Sequence, residues 1–378
     1  MSTTEVLPDD EALRRARRAR VLAAMEAEDI DVLVVGREGN ARYVSGAPRL
    51  WTAGSHPFGP GCVVVRASGA VHLLSTWDEG VPEEIPHENL YGISFNRMTF
   101  LKVLENLEGA ATVRTVATDA LSPSAAQLLP KAFPSAELVD AEPMLRRARR
   151  VKTPEEVEAI RAAVAVAERS LDAAVRALAP GTTERHLTGV FMEAMASEGV
   201  TTPAGQDVAW ITSREHPWRR RSRDEPVRDG DLVAFEAGLL LGGYAGELGR
   251  THAAGGLPVD PALCDTWHDL WDRLLAACRV GASLSGLLEA YDAAGVPAPP
   301  LPVARGLGLG FDLPLVTPAL PQLAAEQVLE PGMVFALTGY VWKEGTGALF
   351  GQEPVVLTEA GPEPLSTAPL RDRRSPSP

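Results

Sequence analysis

The sequence predicts two domains in succession, a smaller α/β domain and then a larger α+β domain, and three observations lead there. A chain of 378 residues is long enough for two buried cores. The first 145 residues alternate helical and strand patterns. After a strong helix start near residue 150, helices give way to strands near 206–213, 231–240 and 244–251. These breaks set expected boundaries at 1–147, 148–366 and a tail, 367–378, too polar and proline-rich to pack.

In order along the chain, residues 10–28 set Leu13, Val21, Leu22 and Met25 among charges, as one face of a helix requires. Asp31–Val35 reads as a short buried strand. Cys62–Val65 and Val71–Leu74 read as a hairpin turned at Ser68-Gly69. Thr153-Pro154-Glu155-Glu156 carries an N-cap, a proline at the first helical position and a capping-box glutamate. Apolar residues then recur at Val157, Ile160, Val164, Leu171, Val175 and Leu178, up to the Pro180-Gly181 stop. Helices are expected over 262–278 and 283–293, followed by a glycine-rich strand and a final hairpin over 331–358.

Composition narrows the class. Hydrophobic residues make up 45% and charged residues 23%, which suits a globular protein. A net charge of −14 disfavours nucleic acid as a partner. The arginine runs at 14–20 and 146–150 are expected on solvated helix faces. Cys62, Cys264 and Cys278 form no zinc or redox spacing, with Cys62 read as a small core residue, and no apolar run approaches a membrane span. With no apolar leader segment, the expected location is the cytoplasm.

The chemistry concentrates in Gly230-Asp-Leu-Val-Ala-Phe-Glu-Ala-Gly238 and Tyr244-Ala-Gly-Glu-Leu-Gly-Arg-Thr251. This pair resembles the paired-strand signature of the pita-bread superfamily, which includes creatinase, aminopeptidase P, prolidase and methionine aminopeptidase. Asn40–Gly46 and the Arg150–Glu156 helix start also resemble segments of these proteins, and the likeness spans roughly residues 12–366. It implies a creatinase-type α/β N-terminal domain and a pita-bread domain, a curved antiparallel sheet backed by helices. In the metal-dependent members, two aspartates eleven residues apart begin a dinuclear ligand set of aspartate, aspartate, histidine, glutamate, glutamate.

Here Glu236 and Glu247 stand at the aspartate positions. The histidine position, within Arg305–Asp312, falls on Asp312 or, one residue earlier, on Phe311. Thr338 and Gln352 occupy the glutamate positions, with Glu353 next to the latter. The usual set offers four negative charges and an imidazole to ions about 3.5–4 Å apart. This one offers at most three carboxylates and no imidazole. Glutamate also reaches ~1 Å further than aspartate, where ligand distances tolerate only about ±0.2 Å. No metal and no cofactor are therefore expected. The three carboxylates should instead crowd one cleft and raise a carboxyl pKa, unless arginines such as Arg250, Arg305 and the 219–223 cluster pair with them.

His216 matches an active-site histidine that, in metal-free creatinase, the resemblance implies moves the proton. Trp210, Trp218, Arg219, Arg305, Thr338 and Gln352 are the candidate substrate contacts, since arginine forks take carboxylates and indoles pack organic groups. Creatinase's substrate-holding glutamates fall at Thr338 and Gly249, so creatine is not implied. The remaining histidines show no ligand spacing. The resulting expectation is a metal-independent hydrolase or lyase acting on a C–N bond of a small amino-acid-like or dipeptide-like molecule. His216, Glu236, Glu247 and Asp312 would be its catalytic groups, and the family resemblance implies a homodimer. The rival expectations are an inactive binding module of the same fold and an X-Pro peptidase with a remodelled mononuclear site.

Overall fold

The computed structural model describes residues 10–47, 60–75, 78, 80–92, 97–205, 208–221, 225–310 and 312–367. Phe311, Arg223 and the tail beyond 367, all singled out from the sequence, lie outside the described residues. The chain divides into two compact units, the first ending at Arg149 and the second opening at Arg150.

In the first unit the strands are β1 (Val32–Val35), β2 (Cys62–Val65), β3 (Val71–Leu74), β4 (Leu90–Tyr91), β5 (Thr115–Thr118) and β6 (Glu137–Asp140). Among the described residues they form one mixed sheet, ordered β4-β3-β2-β1-β5-β6. The hairpin expected at Ser68-Gly69 is β2–β3. Every residue of β1 and β2 is buried, so these continuous valine runs are central strands covered on both faces. Cys62 sits among them as a core residue.

The helix Asp10–Ala27 buries Leu13, Val21 and Met25 as its pattern predicts, and it also buries Arg17. That corrects the expectation that the arginine runs are solvated throughout. Arg17 and Arg149 are 2% and 8% exposed and flank the Tyr43 ring, each guanidinium 5.7 Å from its centroid. Asn40 links Arg149 to Asp119, its amide donating to Asp119 Oδ2 (2.8 Å) and its carbonyl accepting from Arg149. The Asn40–Gly46 segment is thus a packing device of this unit. It is the body of the helix Glu38–Ser45, closed by Gly46 in the left-handed conformation at φ 74°.

The second unit opens as its sequence dictates. Thr153 caps the helix Pro154–Arg176 and Glu156 completes the capping box. The strands are β7 (Ala209–Ile211), β8 (Leu232–Leu241), β9 (Tyr244–Ala253), β10 (Ala304–Gly306), β11 (Asp312–Val316), β12 (Val334–Lys343), β13 (Gly347–Thr358) and β14 (Gly361–Pro364). Among the described residues they form one sheet, ordered β11-β10-β12-β13-β9-β8-β7, with β14 on β13. Strand pairs β8–β9 and β12–β13 are ten-residue antiparallel ladders.

Helices cover one face of this sheet. Pro154–Arg176 lies so close to β9 that a side chain on Gly246 would strike Ala163, its Cβ 2.3 Å from the Ala163 carbonyl carbon. At Gly339 of β12 the neighbours are side chains, Trp267 and Trp271 of the helix Pro261–Ala277, with a Cβ there 3.2 Å from Trp271 Cε3. Glycine at both contacts lets the helices seat closely on this face and leaves the opposite face open for chemistry. No helix among the described residues is long and apolar enough to cross a membrane.

Candidate functional site

Strand register assembles the site on the open face. Glu236 on β8 lies opposite Gly249 on β9, Gly249 opposite Gln352 on β13, and Gln352 opposite Thr338 on β12. Directly opposed residues of antiparallel strands share a face, as do residues two apart on one strand. Glu247, opposite Gly238, and Arg305, opposite Ala336, therefore join the same row. The sheet curves enough for the segment after β10 to return against β9, where Ala245 N donates to Gly308 O (3.1 Å).

The row lines a cleft of about 220 Å³ walled by Arg220, Glu236, Glu247 and Arg305, with Ala204, Gly205 and Gly238 leaving the space between them. Arg305 is ion-paired with Glu247 and stands 4.0 Å from Glu236. Both carboxyls lie above the usual glutamate range. Burial lifts Glu236 most, the charge of Glu247 lifts it further, and Arg305 and Arg220 pull it back. Burial also lifts Glu247, against the pull of Arg305. Glu236 keeps 34% of its side chain open, whereas Glu247 keeps 10%. Glu236 is the carboxyl a ligand can reach.

The third expected carboxylate is elsewhere. Asp312 pairs with Lys152 at 2.9 Å, the two side chains 6% and 0% exposed, and it does not line the cleft. The expectation that Glu236, Glu247 and Asp312 crowd together is thus corrected: Asp312 is paired instead with a buried ammonium from the start of the domain. Arg250 does not neutralise the cleft either. It reaches through the other face of the sheet to Glu353 (2.9 Å), whose carboxyl is raised by burial and pulled back by Arg250.

Thr338 and Gln352 are both buried and touch each other, the Gln352 amide donating to Thr338 Oγ1 at 3.4 Å. Gln352 Oε1 is buried without a hydrogen-bond partner. At Gly249, where creatinase carries a substrate-holding glutamate, any side chain would collide with Phe350 Cε1 at 2.3 Å and Gln352 Cβ at 2.8 Å. Neutral groups and a forced glycine stand where acidic ligands are expected.

The candidate recognition loop lies beside an aromatic floor. Trp210, Tyr340 and Phe350 form one cluster with Ala234 and Ala348, and Trp342 packs against it. Tyr340 Oη donates to Pro217 O, and Trp342 Nε1 donates to Ser213 O (2.7 Å), which ties the loop down at two points. Trp218, 44% exposed, leans on Tyr340 with ring centroids 5.3 Å apart. His216 is exposed on this loop, its backbone N–H held by Ser213 Oγ, and does not line the cleft; Arg219 is exposed as well.

Arg220 is the loop residue that lines the cleft, its guanidinium 4.8 Å from the centre of the Trp210 ring. Sequence reading placed it only within a cluster. The signal that finds it is the Thr212–Arg220 bridge, which sets Arg220 across from the residue two after Trp210. Lys152 was missed altogether.

These residues do not fit a dinuclear metal centre. Among the described residues no three His, Cys, Asp or Glu side chains gather in a metal-holding group. Glu236 and Glu247 already face Arg305, Asp312 is held by Lys152 outside the cleft, and the Thr338 and Gln352 positions offer a hydroxyl and an amide.

A curved antiparallel sheet with helices behind it and a polar cleft in front defines a pita-bread hydrolase scaffold. The chain belongs to metallopeptidase family M24, which it matches over residues 158–359, and residues 17–151 match the creatinase/prolidase N-terminal domain. It is 29% identical to the probable dipeptidase PepE of Mycobacterium tuberculosis over 273 residues, 69% of this chain and 70% of that one. It is 22% identical to the Xaa-Pro dipeptidase of Pyrococcus furiosus, covering 93% of this chain and 98% of the relative. The solved Xaa-Pro dipeptidase from Bacillus anthracis shares the fold at a TM-score of 0.74 and 16% identity, over 94% of this chain and 98% of that one.

Proposed function

We propose that this chain is a metal-independent hydrolase cleaving a C–N bond in a small amino-acid-like or dipeptide-like molecule. The observation that carries this reading is Glu236, a carboxyl one-third open and raised by burial and by Glu247, in a 220 Å³ cleft beside two guanidinium groups. A cleft of that size suits a molecule no larger than a dipeptide, because sites for drug-sized ligands run to about 300–1,000 Å³. Relatives named dipeptidase and Xaa-Pro dipeptidase support the substrate class.

In this reading Glu236 takes a proton from a water as its oxygen bonds to the carbonyl carbon. The same proton passes to the departing nitrogen as the C–N bond breaks. Arg305 and Arg220 face the charge that develops on oxygen. His216, which the creatinase resemblance implicates, is left at the rim. The reading extends to a homodimer, supported by family resemblance alone, and to a reducing compartment, supported by three free thiols at Cys62, Cys264 and Cys278.

A panel of Xaa-Pro and other dipeptides, incubated with the chain in excess EDTA and followed by mass spectrometry of products, tests it. Release of free amino acids at an EDTA-independent rate is expected. EDTA-sensitive cleavage would favour a mononuclear peptidase. The Arg305–Glu247 pair favours a second reading, a binding module without turnover, and calorimetric binding with no product would select it. Light scattering should give twice the 40.2 kDa chain mass; a monomer at micromolar concentration would remove the dimer.

A further inference from the structure

One guanidinium serves both carboxylates that stand at the two aspartate positions. Arg305 belongs to β10, Glu247 to β9 and Glu236 to β8, so this side chain joins strands that are not neighbours in the sheet. The curvature that sets Gly308 against Ala245 makes the reach possible. Outside the cleft a further carboxylate is also met by a cation of the chain. Lys152 Nζ holds Asp312 Oδ2, and a side chain on Gly308 would crowd both, its Cβ 1.9 Å from that oxygen and 3.2 Å from that nitrogen.

Both carboxylates at the aspartate positions thus face one cation built into the chain. A buried carboxylate without a partner is costly, and a metal ion is one way to meet that cost. An arginine fork is another, with five donors fixed in a plane.

We infer that Arg305 is a covalently attached replacement for the metal pair of this site, holding the carboxylates of β8 and β9 in place and leaving no room there for a divalent cation. The inference deepens the metal-independent reading above and concerns assembly of the site, whatever its turnover. It also gives Arg305 two roles, since it lines the cleft as well as tying the strands.

The test is calorimetric melting of the full chain as wild type, Arg305→Ala, Arg305→Lys, Glu247→Gln and the Arg305→Ala/Glu247→Gln double variant. Each is run in EDTA and in millimolar manganese chloride. The wild-type melting temperature should be the same in both media. Arg305→Ala should lower it by about 5–10 °C, because two carboxylates are left facing each other. Glu247→Gln should recover about half of that loss in the Arg305→Ala background while lowering the wild type, a change of sign that only a charge-coupled pair produces.

Arg305→Lys, which keeps the charge and loses the fork, should lie between; it carries the test if Arg305→Ala fails to fold. Wild-type melting in Arg305→Ala, additive losses in the double variant, or a wild type raised by several degrees in manganese would each overturn the inference. Turnover is not read in this experiment. A chain that shows the coupling but cleaves nothing keeps the fixed cation and loses the hydrolase, and the converse result does the reverse.

Discussion

Two arginines face glutamates across the same sheet, and they come to opposite ends. Arg250 on β9 points through the helix-covered face to Glu353, and every polar contact there is matched. Arg250 also donates to the carbonyls of Gly249 (2.8 Å) and Gln352 (2.9 Å) and to Ser366 Oγ, and Ser366 donates in turn to Glu353. Arg305 faces the open side, binds Glu247 and leaves Glu236 at 4.0 Å with a third of its side chain in the cleft. The first pair is sealed and structural. The second pair carries a carboxyl with a raised pKa in reach of solvent, which is the state a general acid or base needs near neutrality. Alternation along one strand, Gly249 to Arg250, separates the two faces.

Substitutions can break this contrast. Glu236→Gln should lower turnover by about 10²–10⁴-fold, the usual worth of a positioned acid or base, with no loss of melting temperature. Steady-state kinetics on any dipeptide the wild type cleaves would measure it, and a fully active folded variant would remove Glu236 from the chemistry. Arg250→Ala should do the opposite. It should cost about 3 kcal/mol of stability in urea denaturation by leaving Glu353 buried without its cation. A loss below about 1 kcal/mol, the level of an exposed pair, would show that the sealed pair is not structural.

Acid titration sharpens the comparison by sign. Because the folded chain holds the Glu236 proton more tightly than the unfolded chain, this group contributes stability below its ordinary value of 4.5, and the contribution is lost as pH rises through the raised folded value. Wild type should therefore lose stability relative to Glu236→Gln as pH rises from about 4.5. Parallel stability–pH curves for the two proteins would contradict the raised carboxyl. The smallest effect is expected at His216. Its exposure outside the cleft predicts that His216→Ala lowers turnover less than about tenfold, and a loss matching that of Glu236→Gln would return the proton transfer to the histidine.

What could be read from the sequence was local. Thr153, Pro154 and Glu156 announce their helix because cap, first-turn proline and capping box lie within four residues. The eleven-residue spacing of Glu236 and Glu247 survives because both sit on one antiparallel ladder, where register converts spacing into proximity. The partners of those groups were not legible. Lys152 and Asp312 are 160 residues apart, and nothing in either neighbourhood marks the other. Arg305 was visible as a candidate contact, but its position between two glutamates depends on sheet curvature that periodicity does not encode. Arg220 was hidden among neighbouring arginines, and its bridge to Thr212 and its stacking on Trp210 distinguish it from Arg219.

The central claim is that one arginine built into this chain has taken over the place of a metal pair in a member of metallopeptidase family M24. Inductively coupled plasma mass spectrometry of the purified full chain, loaded with manganese, cobalt and zinc and then desalted, tests it most directly. The account predicts less than about a tenth of an equivalent of any of these metals per chain, because two carboxylates already engaged by Arg305 make too poor a donor set. Close to two equivalents per chain, the content of a dinuclear centre, would contradict it.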